Sequence, residues 1–257
     1  MNDRPLKDEL IAYLRGVGYR AEAIQERDHP TPDLIVEDAS GTRYVIEVKE
    51  RTTRWDERAE VLAEDPSGRV LKRCDPSRRS NSVDDVLEHA AKQLNAAELS
   101  TDLRLVWLLA DATDLVFLYE EVRQTAYGLA LAIATPGGRD ALKETFYASY
   151  ASFARWSSSL DGILLGPFHG LFLNNLSPRY EQLRTSALSK QCGDAVLDPA
   201  ALEAAGECYL VPVTGEAPSE AVVRRYLKDR HGVELVKLES FTRFSAVIEV
   251  KADTPRG

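Results

Sequence analysis

The chain has 257 residues, 44% of them hydrophobic and 28% charged, with a formal net charge of −9. That length bounds one large domain or two small ones, and the apolar content is that of a globular protein. No continuous apolar run reaches the roughly 20 residues a membrane-spanning helix needs, and the polar N-terminus lacks a signal-peptide core, so a cytoplasmic location without a membrane partner is expected.

The first predicted element is a helix. Leu6, Leu10, Tyr13, Leu14 and Val17 recur at helical spacing, Glu9 borders that stripe, and Gly16 and Gly18 stop it. A strand over residues 19–25 follows. Pro32-Asp33 then opens the apolar run Leu34-Ile35-Val36, and Ser40-Gly41-Thr42 turns the chain into Tyr44-Val45-Ile46-Glu47-Val48-Lys49, which reads as a hairpin. Residues two apart in a strand share a face. Val45, Glu47 and Lys49 therefore point one way, while Tyr44, Ile46 and Val48 point into a core. If the strands pair, Asp33 comes close to Glu47. Two carboxylates and an ammonium at the end of a hairpin suit a hard cation such as Mg²⁺ and a phosphate ester. Residue by residue there are plainer readings. Asp33 serves equally as a turn residue after Pro32, and Glu47 and Lys49 as the wet face of a strand.

Between residues 51 and 79 the chain carries Arg51, Arg54 and Arg58, then Arg69, Lys72, Arg73, Arg78 and Arg79 against a single acid, Asp75. This segment reads as a contact to a phosphate backbone or, diluted by Asp56, Glu57, Glu60, Glu64 and Asp65, as a solvated loop. Ser82 has the look of an N-cap. Val83, Val86, Leu87, Ala90, Leu94 and Ala97 form the buried side of the helix after it, with Gln93 at the edge of that side. A strand over 103–110 comes next.

The ordered set Pro32, Asp33, Glu47 and Lys49, with a helix before it and a helix and strand after it, resembles the PD-(D/E)xK nuclease superfamily. The layout looks most like the Mrr and archaeal Holliday-junction-resolvase branches, over roughly the first 110 residues. The resemblance implies a mixed α/β (α+β) fold: a restriction-endonuclease-like α-β-β-β-α-β core with an additional C-terminal α+β region. It implies phosphodiester hydrolysis with Mg²⁺ or Mn²⁺. Asp33, Glu47 and the Val48 carbonyl would hold the metal. Lys49 would orient the attacking water or neutralise the phosphate, Glu9 would add a carboxylate, and Gln93 would hydrogen-bond the water or the phosphate. The expected substrate is nucleic acid, DNA ahead of RNA, in a setting of restriction or antiphage defence. A homodimer, or a partner protein docking on the C-terminal half, is a further expectation. The alternative is a catalytically silent protein that keeps the fold as a binding or assembly module. The acidic total charge and the C-terminal half favour it.

Beyond residue 110 recognisable chemistry ends. The pattern predicts a helix over 115–123, a strand or buried helix over 127–134, and a break at Thr135-Pro136-Gly137-Gly138. A helix over 140–156 is expected on the stripe Leu142, Phe146, Tyr150 and Phe153. Short strands follow at 162–165 and 170–173, and a helix at 178–189. The segments 208–213, 219–230, 233–238 and 245–251 suggest β-α-β-β. Val247-Ile248-Glu249-Val250-Lys251 repeats residues 45–49 letter for letter, but no Pro-Asp precedes it, and it reads as an ordinary strand. The chain divides on this reading into a nuclease-like domain, 1–136, and an accessory region, 137–257. The latter is either a module of its own or a source of extra strands for the first sheet. Cys74, Cys192 and Cys208 are scattered and odd in number, which argues against a disulfide framework. His29, His89, His169 and His231 show no metal-ligand spacing.

Overall fold

The computed structural model describes residues 4–25, 31–50, 60–64, 69–74, 81–96, 102–110, 112–134, 142–213, 217–240 and 246–251. It is a mixed α/β structure in which a seven-stranded sheet runs in the order β1-β2-β3-β6-β9-β10-β11. Helix α1 (Arg4–Gly16) leads into β1 (Arg20–Ala23), β2 (Leu34–Glu37) and β3 (Arg43–Glu50). These three pair antiparallel in sequence, with Leu34 opposite Ile46 and Val36 opposite Tyr44. A hairpin of β4 (Glu60–Glu64) and β5 (Arg69–Cys74) comes next, then α2 (Asn81–Ala96) and β6 (Leu103–Leu109). β6 lies parallel to β3, Glu47 beside Val106 and Lys49 beside Leu108.

A continuous apolar strand such as β6, Leu-Arg-Leu-Val-Trp-Leu-Leu, is what a sheet covered on both faces requires. One face carries Tyr44, Ile46, Val48, Leu105 and Trp107 against Leu10, Ile11 and Leu14 of α1. The other carries Val45, Val106 and Leu108 against Val83, Leu87, Ala90 and Leu94 of α2. Glu47 belongs to that second, helix-covered face, so it is not on a wet strand surface.

The expected break between residues 136 and 137 does not divide the first sheet. After α3 (Ala112–Tyr127), the strands β9 (Gly162–Leu165), β10 (Gly170–Leu173) and β11 (Val196–Leu197) complete it. A second sheet, β12-β8-β7-β13, gathers β7 (Ala130–Ala134), β8 (Leu142–Phe146), β12 (Cys208–Leu210) and β13 (Leu235–Ser240). The last strand, β14 (Ala246–Lys251), pairs antiparallel with β5 in a third sheet. Strands of the C-terminal region are thus shared among three sheets.

The helix expected over 140–156 is replaced by β8, a turn, and the short helix α4 (Ser152–Arg155). Tyr147 in that turn takes φ +59. Facing it, Gly128 ends α3 at φ +57, where a Cβ would lie 2.6 Å from the carbonyl oxygens of Ser149 and Tyr150, so only glycine fits. The helix expected over 178–189 is two pieces, α5 (Tyr180–Arg184) and α6 (Ala187–Cys192). Ser186 breaks them apart, its side chain accepting from the Ser189 amide and starting the second helix. Two further helices, α7 (Pro199–Ala204) and α8 (Glu220–His231), pack on the second sheet, α8 through Val223 and Leu227. Thr135-Pro136-Gly137-Gly138 lies outside the described residues. Among the described residues no helix is long and apolar enough to cross a membrane. Cys192 and Cys208 are buried free thiols.

Candidate functional site

The β2–β3 register decides what meets at the site. Asp33 stands just before the Leu34–Ile46 pair, its amide donates to the Ile46 carbonyl at 3.1 Å, and its charge acts on the Glu47 carboxyl. The Asp33 carboxylate is then fixed by two donors, the Val48 amide to Oδ2 at 2.8 Å and the Lys7 ammonium to Oδ1 at 2.5 Å. Lys49, two residues along β3 from Glu47, donates to Glu47 Oε1 at 2.5 Å and to Gln93 Oε1 at 3.1 Å. The expected residues Asp33, Glu47, Lys49 and Gln93 are thus brought into one cluster at the end of β3, between α1 and α2. Val48 enters it through its amide.

Glu9 is not part of this cluster. It is exposed, and on a helix of 3.6 residues per turn it stands about 200° round from Lys7. The buried face of α1 is set by Leu10, Ile11 and Leu14, while Tyr13 and Val17 of the expected stripe are 38% and 39% exposed. The helix is rolled relative to the sequence reading, and this roll brings Lys7 to the site in place of Glu9. Sequence reasoning missed Lys7. The signal for it was its position three and four residues before Leu10 and Ile11.

The described part of the basic segment folds as a strand. Arg51, Arg54, Arg78 and Arg79 lie outside the described residues. Arg69, Lys72 and Arg73 all fall on β5, a strand in a hairpin rather than a loop.

Glu47 is the unusual group. It is 1% exposed, and its Oε2 is buried without a hydrogen-bond partner. A buried carboxylate oxygen left unpartnered costs free energy. Burial pushes the Glu47 carboxyl up from 4.5 to about 7; Asp33 adds to the rise, while Lys49 and Lys7 oppose it. The sign for stability follows. A carboxyl whose folded value lies above its unfolded one stabilises the fold below about pH 4.5, and that contribution is lost as pH rises through about 7. Glu47→Gln is therefore expected to be more stable than the wild type at pH 8, by about 3 kcal/mol, with the gap closing toward pH 4.5. Urea denaturation of both proteins in metal-free buffer at the two pH values measures it. An equal gap at both would contradict a charged, strained Glu47.

Among the described residues no group of three or more His, Cys, Asp and Glu side chains is placed to hold a metal. The donor set at the site is the pair Asp33 and Glu47. Two carboxylates, one with a buried oxygen lacking a hydrogen-bond partner, are oxygen donors of the kind a hard divalent cation takes. Comparison with protein-family models, with curated proteins and with solved structures finds no match.

Proposed function

We propose that the chain is a metal-dependent nuclease, hydrolysing phosphodiester bonds of nucleic acid, DNA ahead of RNA, on a restriction-endonuclease-like core. The observation that carries this reading is the Glu47 carboxylate. It is buried, has one oxygen unpartnered, feels the charge of Asp33, and is tied through Lys49 to Gln93. The order α1-β1-β2-β3-α2-β6, with the β4–β5 hairpin inserted, supports the core assignment.

Asp33 and Glu47 would hold Mg²⁺ or Mn²⁺, which would set positive charge against the developing negative charge of the phosphate. The Val48 amide holds the Asp33 carboxylate in orientation. Lys49, held between Glu47 Oε1 and Gln93, would stay beside the cation and offer its ammonium to a phosphate oxygen or to the attacking water. Gln93, already within 3.1 Å, keeps it in place. The β4–β5 hairpin, next after β3 in the chain, includes Arg69, Lys72 and Arg73, residue types that bind a nucleic-acid backbone.

The test is cleavage of plasmid, single-stranded DNA and RNA by the purified chain with Mg²⁺ or Mn²⁺, alongside Asp33→Ala. Activity on at least one substrate that vanishes in the variant supports the proposal. A wild type inert on all three, with no calorimetric sign of metal binding, ends it. A second reading, a silent nuclease-fold module for binding or assembly, draws on one feature. The charges of Asp33 and Glu47 are each already matched by an ammonium of the same chain. Metal titration separates the two readings.

A further inference from the structure

Resting on the nuclease reading, we infer that Lys7 is an internal competitor for the divalent cation. Its ammonium closes Asp33, and metal binding requires Lys7 to leave that carboxylate. The geometry that points to this is the state of the four carboxylate oxygens. Asp33 Oδ2 is committed to the Val48 amide at 2.8 Å, a bond set by the strand backbone. Glu47 Oε1 is held by Lys49 at 2.5 Å. Glu47 Oε2 has no partner. Asp33 Oδ1, the oxygen of that carboxylate not held by the backbone, is taken by Lys7, whose Nζ stands 2.5 Å from it.

Charge makes the same point. Two carboxylates against two ammoniums leave the cluster neutral. A dication entering with both lysines in place would bring an excess of positive charge into a largely buried site, where like charges a few ångströms apart repel strongly. Of the two lysines, Lys49 shares a strand with Glu47 and is also held by Gln93. Lys7 reaches in from a separate element, the first turns of α1. Its long flexible stem lets the ammonium swing to water while the helix stays packed through Leu10, Ile11 and Leu14. Metal occupancy is thereby coupled to the state of the N-terminal helix: whatever draws Lys7 from Asp33 raises metal affinity.

Calorimetric titration of the full chain with Mn²⁺ tests this on four proteins: wild type, Lys7→Met, Lys7→Arg and Asp33→Asn. Lys7→Met is expected to bind Mn²⁺ about tenfold more tightly than wild type. Lys7→Arg, which keeps the competing charge, is expected to show no such gain, and Asp33→Asn to lose binding. A second readout needs no variant. Acylation of wild-type lysines by an N-hydroxysuccinimide ester, followed by mass spectrometry, is expected to show faster labelling of Lys7 at saturating Mn²⁺. Lys92, on the exposed side of α2 with its side chain 58% exposed, is the internal control and stays unchanged. Equal Mn²⁺ affinity in wild type and Lys7→Met, or Lys7 labelling indifferent to Mn²⁺ that binds, overturns the inference and leaves the metal site standing. No Mn²⁺ binding in any of the four proteins overturns the inference and the nuclease reading together.

Discussion

Lys49→Met is expected to lower Mg²⁺-dependent cleavage by about 10²–10³-fold, the loss typical when one group stabilising transition-state charge is removed. The side chain sits at the junction of the cluster. It is bonded to the buried Glu47 and to Gln93, and it is partly open to solvent. Methionine keeps the length and apolar stem, so β3 and its parallel pairing with β6 are retained. The loss is expected in the rate at saturating substrate more than in substrate affinity, because on the proposed reading Lys49 meets charge that develops only in the transition state. Gln93→Ala is expected to have a smaller effect in the same direction, since it holds Lys49 without replacing its charge. Single-turnover cleavage at saturating enzyme separates the two. A Lys49→Met protein cutting at the wild-type rate would remove Lys49 from the mechanism.

The second large effect concerns the frame rather than the site. Asp161, the residue before β9, is 0% exposed and accepts from the Arg104 amide at 2.7 Å, from Arg179 Nε at 2.8 Å, and from the Ser177 hydroxyl. Its own backbone is tied into the same place, the amide to the Arg104 carbonyl and the carbonyl to the Asn174 amide, both at 2.9 Å. One carboxylate therefore joins the start of β6, the start of β9, and the loop that leaves β10. Asp161→Ala would strand the mostly buried Arg179 guanidinium and a buried amide together, and breaking one partner of a buried ion pair costs about 3–5 kcal/mol. The expected result is a fall of that size in the free energy of urea unfolding, with the denaturant slope unchanged. A loss under about 1 kcal/mol would show that water takes over the carboxylate's role.

How far the sequence spoke for itself differs along the chain. Through residue 110, apart from the β4–β5 hairpin, where a loop was expected, the helices, strands and first hairpin were legible because periodicity and turn residues agreed. Asp33, Glu47 and Lys49 came together because strand register is set by the same alternation that buries Tyr44, Ile46 and Val48. α1 was legible as a helix but its rotation was not. A stripe drawn through Tyr13 and Val17 differs by a fraction of a turn from one drawn through Ile11 and Leu14, and only docking against the sheet decides. That fraction of a turn exchanges Glu9 for Lys7. Residues 140–156 failed for a related reason. Leu142 and Phe146 are four apart, which fits a helix, yet they are also an even number apart, which fits a strand. Pairing of β8 with β7 and β12 settled it, and those partners lie outside any local window. The docking of β9 beside β6 and of β11 beside β10 is likewise long-range, so no local signal could choose between a separate module and extra strands for the first sheet.

The pairing of β14 with β5 joins segments roughly 170 residues apart in the chain. During synthesis the first sheet has all its strands once residue 197 has emerged, whereas β5 waits with one side bare until residues 246–251 arrive. For that interval its unpaired backbone is a docking edge for any passing strand. The closing staple of the molecule is thus a late one. The pentapeptide Val-Ile-Glu-Val-Lys serves the protein twice, once in the sheet that can fold early around the Glu47 cluster and once in a seam whose two sides are made far apart in time.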